Sequence, residues 1–146
     1  MLTGINFSPP LYFLFNFFIQ LIYPTSIENL RVQSLVWTLI GVILSFLLSR
    51  KVFGSLPAFL GTILVLSQSS HLLSQSQEAR HYTMFFACAA WVLLMQSSKN
   101  EHSKKLLLLT FLAHFCLCQT HYLGIIFSGL AGLSYLIINR NKKLLY

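Results

Sequence analysis

The chain has 146 residues, of which 55% are apolar and only 9% are charged, and its mean hydropathy is +0.69. This composition excludes an ordinary soluble domain, which carries about 25% charged residues, and it predicts an integral-membrane protein. The formal charge of +7 comes from ten basic and three acidic residues. Because the basic residues form short clusters at the ends of apolar runs, they indicate membrane topology rather than nucleic-acid binding.

The first three apolar runs differ in length. The run from Leu11 to Tyr23 has 13 residues, is closed by Pro24 and predicts a juxtamembrane or re-entrant helix, because a helix crossing the hydrocarbon needs roughly 20 residues. The runs from Val32 to Ser49 and from Val52 to Leu73 are each long enough to span. The basic pair Arg50-Lys51 separates them.

Two apolar regions follow in the second half of the chain. Residues Tyr82 to Gln96 predict a fourth helix, and Leu106 to Ile138 form a 33-residue region that exceeds one span. A polar break at residues 119–122 divides this region into two helices. The sequence therefore predicts an all-α polytopic membrane bundle of about five transmembrane helices plus one N-terminal juxtamembrane helix, with residues 1–146 as a single integral-membrane unit.

The basic clusters predict which ends of the helices share one side of the membrane. Short loops rich in Lys and Arg stay cytoplasmic, which places residues 50–51, 99–105 and 140–143 inside. Five spans connect these clusters without contradiction. The remaining polar breaks, at residues 8–12, 28–31, 75–82 and 119–122, then fall at the outer face, where they form either a shared cleft or ordinary solvated loops.

The segment from residue 76 to residue 82 is the strongest candidate for chemistry, because it places Glu78 and Arg80 between apolar runs. Ionisable groups near lipid are costly and usually face a cavity or a partner. Arg80 has the planar fork that suits phosphate, although it could also pair with Glu78 or extend to lipid headgroups. Glu78 is a candidate acid or base, or a cap for the following helix.

For the remaining histidines and the cysteines, a purely structural role is the alternative to a role in binding. His121, in the break between the last two helices, is a candidate ligand for a phosphate, a sugar hydroxyl or a metal. A lone His more often satisfies local backbone groups, and no partner at metal spacing accompanies it. His71 and His114 lie within apolar runs and are interpreted as packing residues with one satisfied nitrogen. Cys88, Cys116 and Cys118 lack metal-ligand spacing. No metal site and no cofactor are predicted, and a divalent metal is left open.

Five motifs in chain order resemble one known pattern. They are Pro9-Pro10-Leu11-Tyr12, the segment from Glu28 to Leu35, the turn from Arg50 to Gly54, the segment from Ser76 to Tyr82, and Thr120-His121-Tyr122. Together they resemble the membrane glycosyltransferases of the C-type fold, in particular the bacterial protein-mannosyltransferase-like group of family 39. This resemblance covers nearly the whole chain.

The resemblance implies an enzyme of the bacterial inner membrane. It implies transfer of a sugar, a hexose or a pentose, from a polyprenyl-phosphate-linked donor to a lipid, glycan or protein acceptor at the outer face. Arg80 and His121 would then lie near the donor phosphate, and Tyr82 and Tyr122 would line the cleft. Its entrance would be shaped by Pro9, Pro10 and Tyr12.

Members of this group carry a membrane helix and an acidic loop before the Pro-Pro-Leu-Tyr segment, and further helices after the fifth span. The resemblance therefore implies that the printed sequence is a piece of a larger enzyme and that the usual catalytic Asp lies outside it. A non-enzymatic multi-pass protein, such as a lipid-binding or transporter subunit, is the alternative function. A channel is disfavoured because no span carries a repeated polar stripe.

Overall fold

A computed structural model describes residues 10–22, 27–68, 82–98 and 103–143, without the side chains of residues 27, 68 and 138–143. Within these ranges the chain is all-α and contains no strand. The helices described there are α1 (Pro10–Ile22), α2 (Ile27–Phe53), α3 (Ser55–Gln68), α4 (Tyr82–Gln96), α5 (Lys104–Cys118) and α6 (Tyr122–Lys143).

Several helix boundaries follow directly from the sequence pattern. Helix α4 has the bounds that its apolar run predicts, and the long final region is divided at residues 119–121. Helix α2 differs, since Glu28 to Arg31 form its first turn rather than a polar break. It also continues through Arg50 and Lys51 to Phe53, so the basic pair does not end it.

Gly54 is the residue that separates α2 from α3. Its φ of 90° lies in the left-handed region, which glycine adopts at no steric cost and which costs an L-residue about 1–2 kcal/mol. The Gly54 amide donates to the Arg50 carbonyl at 3.0 Å and closes the last turn of α2. The chain therefore reverses after Phe53, and α3 packs back along α2.

The packed interior lies between α4 and its neighbours. Helix α2 makes its most extensive contact with α4, while α5 packs on α4 and α6 packs on both. A cluster of buried side chains joins α1, α4, α5 and α6: Tyr12, Met84, Cys88, Val92, Ala113, Leu117 and Ala131. The start of α1 thus belongs to the same core as the last three helices.

The outer faces of the helices are apolar. Leu39 on α2 is 61% exposed, Leu107 on α5 is 71% exposed and Ile125 on α6 is 63% exposed. An extended exposed apolar surface marks a face that meets lipid or a partner protein. Among the described residues, one helix, Glu28–Phe53, is long and apolar enough to cross a membrane, and the apolar parts of α1, α3, α4 and α6 have 10–17 residues. The number of spans stays a prediction.

Candidate functional site at the α5–α6 turn

The candidate site is built around a tight turn between two helices. Helix α5 ends at Cys118, and α6 begins at Tyr122. Thr120 closes the turn, because its backbone amide and its hydroxyl both donate to the Leu117 carbonyl, at 3.2 and 2.7 Å. Thr120 is fully buried and His121 is 5% exposed, whereas Tyr122 beside them is 62% exposed, so the turn lies at the edge of the packed interior.

Gly124 permits this tight turn. Its amide donates to the carbonyl of His121 at 2.8 Å, and its Cα lies directly against the Leu117 carbonyl group. A Cβ at this position would overlap the carbonyl oxygen and carbon of Leu117 and would crowd the Cα of Cys118. Glycine is therefore required here by the close approach of two helical backbones.

His121 is oriented by the backbone of the helix that follows it. The Leu123 amide donates to its Nδ1 at 3.0 Å, so Nδ1 is an acceptor and a neutral ring carries its proton on Nε2. Burial lowers the pKa of His121 below its ordinary value of 6.5. At neutral pH the side chain is consequently a neutral hydrogen-bond donor through Nε2–H, not a cation.

Aromatic rings surround the imidazole. The ring centroid of Tyr122 lies 4.1 Å from that of His121, and those of Tyr82 and Phe85 lie 5.6 and 5.7 Å away. Tyr82 is the first residue of α4, and Phe85 follows one turn later on the same face. The start of α4 and the α5–α6 turn therefore form one aromatic site.

The start of α1 joins the same end of the bundle. The Leu11 amide donates to the carbonyl of Gln119 at 3.1 Å, which satisfies one of the donors that a helix N-terminus leaves unpaired. Pro10 is exposed at the first position of α1, whereas Tyr12 is 6% exposed and belongs to the core. Three segments that are distant in sequence thus meet at the turn.

The structure brings together Tyr82, His121 and Tyr122, and places Tyr12 in the adjoining core. Pro10 is exposed beside them at the start of α1, while Pro9, Glu78 and Arg80 lie outside the described residues. Sequence reasoning missed Phe85, although its spacing of three residues from Tyr82 is the spacing that puts two side chains on one helix face. Within the part of the chain described here, no three His, Cys, Asp or Glu side chains form a metal-binding group.

The interpretation of His114 as a packing residue with one hydrogen-bonded ring nitrogen is incomplete. Its Nε2 lies 3.2 Å from the Gln96 amide nitrogen and its Nδ1 lies 2.6 Å from the Ser128 hydroxyl, so both ring nitrogens have partners. His114 and Ser128 lie seven residues before and after His121, as expected for facing residues in a helical hairpin. The network joins α4, α5 and α6 and fixes the orientation of the helices that carry the turn.

The depressed pKa of His121 predicts that the turn loses stability in acid. The unfolded turn binds a proton near pH 6.5 and the folded turn binds it only at lower pH, so stability is complete above pH 6.5 and falls as the pH drops below it. Hydrogen-exchange protection of the Leu123 amide should fall between pH 8 and pH 5. In His121→Asn, which has no titrating ring, protection that still falls to the same extent would contradict this assignment.

Neither a curated protein nor a solved structure matches this chain. A family model described as dolichyl-phosphate-mannose-protein mannosyltransferase matches residues 8–146. This range contains the α1 segment, the Tyr82 segment and the α5–α6 turn that meet at the site. The chain therefore belongs to the dolichyl-phosphate-mannose-protein mannosyltransferase family of membrane glycosyltransferases.

Proposed function

We propose that this glycosyltransferase moves a sugar from a polyprenyl-phosphate-linked donor to a lipid, glycan or protein acceptor at the outer face of the bacterial inner membrane. Residues 1–146 are proposed to form one integral-membrane unit with five crossing helices. The observation that carries the proposal is the meeting of Tyr82, His121 and Tyr122 at one end of the bundle. These residues belong to two separate motifs of the family pattern.

The proposed chemistry places a leaving phosphate beside His121. When the bond between the anomeric carbon and the phosphate oxygen breaks, negative charge develops on the lipid phosphate, and fixed donors stabilise that charge. The Nε2–H of His121 is one such donor. Arg80 is proposed as the cation, because two peptide units, each spanning at most about 3.6 Å, separate it from Tyr82.

The acceptor must also lose a proton as it attacks the anomeric carbon. A carboxylate is a suitable base, and Glu78 is the candidate in this segment, four residues before Tyr82. The aromatic rings of Tyr82 and Tyr122 are proposed to line the sugar site. Pro9 and Pro10 are proposed to shape its entrance at the start of α1, with Tyr12 anchoring that segment in the core.

A photoreactive polyprenyl-phosphate probe tests the role of Arg80. Wild-type protein and Arg80→Ala would be reconstituted in bilayers and labelled with equal amounts of probe. Loss of a charge-assisted contact of about 1.4 kcal/mol or more corresponds to at least a tenfold reduction in labelling. Arg50→Ala is the matched control, since it removes the same charge from the last turn of α2 and should label as the wild type does.

Equal labelling of wild type and Arg80→Ala would refute the phosphate site. Labelling that depends on Arg80, without sugar transfer by the intact enzyme, would favour the lipid-binding alternative instead. Transfer should be measured with the full-length protein in membranes, with the labelled sugar that becomes covalently bound to acceptor material as the readout.

A further inference from the structure

A cavity lies at the end of the last three helices that is opposite to the α5–α6 turn. It has a volume of about 290 Å³ and opens between the end of α4, the start of α5 and the second half of α6. Leu107, which lines it, precedes His121 by 14 residues, or about 20 Å along a helix at 1.5 Å per residue. The cavity is therefore separate from the candidate site at the turn.

Most of the cavity wall is apolar. Apolar lining comes mainly from leucine side chains of α5 and α6, and the polar groups belong to Gln96, Ser98, Thr110, His114 and Tyr135. The imidazole of His114 is already hydrogen-bonded to Gln96 and Ser128, so it requires no ligand to satisfy it. The wall thus offers an uncharged and largely apolar surface, which suits a hydrocarbon chain.

Positive charge lies next to the cavity, at two lysines that do not line it and that we call its rim. Lys104 and Lys105 are exposed and directly precede Leu106 and Leu107 in the first turn of α5. That turn has no acidic residue, and the N-cap residue Ser103 makes no side-chain hydrogen bond to it. Two cations at the N-terminus of a helix interact unfavourably with the partial positive charge of the helix dipole. An anion bound there would offset this repulsion.

We propose that this cavity binds an anionic phospholipid of the surrounding bilayer. One acyl chain occupies the apolar cavity, and the phosphate headgroup lies against Lys104, Lys105 and the backbone amides that begin α5. The complementarity has two parts, an apolar wall for the chain and a cationic rim for the phosphate. This lipid is distinct from the sugar donor, and its site does not depend on the proposed transfer reaction.

Photoreactive lipids with a diazirine in the acyl chain test the proposal. The intact protein would be placed in phosphatidylcholine nanodiscs that contain a trace of either photoreactive phosphatidylglycerol or photoreactive phosphatidylcholine. Each basic residue near the headgroups favours an anionic lipid by a factor of about five. Phosphatidylglycerol should therefore label peptides of α5 and α6 at least about fivefold more than phosphatidylcholine does.

Two pairs of variants test the contributions of the rim and of the cavity to lipid binding separately. Lys104→Gln with Lys105→Gln should abolish the preference for phosphatidylglycerol, while Arg50→Gln with Lys51→Gln, which removes equal charge from the end of α2, should preserve it. Gly132→Leu should reduce labelling about fivefold or more, because Gly132 lines the cavity and has open space beside it. Gly129→Leu also points into open space but does not line the cavity, and should label normally.

The outcomes are decisive in each direction. Equal labelling by the two lipids, or labelling that maps away from α5 and α6, would overturn the proposal. Normal labelling of Gly132→Leu would also overturn it, because it would show that charge attracts the lipid to the surface without a chain entering the cavity. Loss of preference in the Lys pair together with reduced labelling in Gly132→Leu supports it.

Discussion

Replacing Gly124 with alanine is expected to destabilise the α5–α6 hairpin more than the same replacement at Gly129 or Gly132 of α6. The new Cβ would overlap the Leu117 carbonyl group, which is backbone and cannot rotate away. Overpacking of this kind costs about 1–3 kcal/mol or more, and the intrinsic gain from Gly to Ala in a helix offsets only about 1 kcal/mol. Because the backbone carbonyl cannot give way, we expect a cost at the upper end of this range and a net loss of about 2 kcal/mol in the free energy of unfolding.

Gly129→Ala is the matched control for this substitution. Gly129 lies in the same helix, and a Cβ there meets no atom within 4 Å, so alanine should leave stability unchanged or raise it by up to about 1 kcal/mol. Both variants can be compared by unfolding in mixed micelles. If Gly124→Ala proved as stable as Gly129→Ala, the close approach of the two backbones would not be a property of the native hairpin.

The second large effect is expected at His121, where asparagine and glutamine separate two roles of the imidazole. Asparagine places an oxygen near the position of Nδ1 and can still accept from the Leu123 amide, but it lacks the donor at Nε2. Glutamine reaches further and places an amide N–H near Nε2. Removing one donor from a developing oxyanion costs about 10²-fold in rate.

We therefore expect His121→Asn to keep its folding stability and to lose about 10²-fold in sugar transfer. His121→Gln should recover about tenfold of that loss, at some cost to the turn. Transfer rates and unfolding free energies measured on the same preparations distinguish these effects. A wild-type rate in His121→Asn would exclude Nε2–H as a donor to the leaving phosphate, and a loss of rate proportional to the loss of stability would make His121 a purely structural residue.

The structure describes His121 but not Arg80 or Glu78, so only the position of His121 can be compared with its prediction. His121 is predicted to lie in a turn because a 33-residue apolar region exceeds one span and its polar residues mark the division. The roles of Arg80 and Glu78 stay predictions, since both lie outside the described residues. Their nearness to Tyr82 in sequence is what connects them to the turn.

Local chemistry alone determined much of the secondary structure of this chain. The composition indicates helices that meet lipid, the run from residue 82 to residue 96 predicts α4, and the polar residues at 119–122 predict the division between α5 and α6. The end of α2, however, is predicted at Arg50-Lys51, because basic residues usually mark a loop, and this prediction is wrong by two residues. Gly54, with its positive φ, ends the helix instead, since charged side chains can remain helical while a left-handed residue cannot.

Only the tertiary structure decided which distant residues meet. It buries Tyr12 in the core, joins Leu11 to Gln119, and brings His114 into contact with both Gln96 and Ser128. These pairings depend on how the helices are rotated and shifted relative to one another. Hydropathy carries little of that information in these helices, because α2, α4 and α5 are apolar around most of their circumference and no single polar face fixes their orientation.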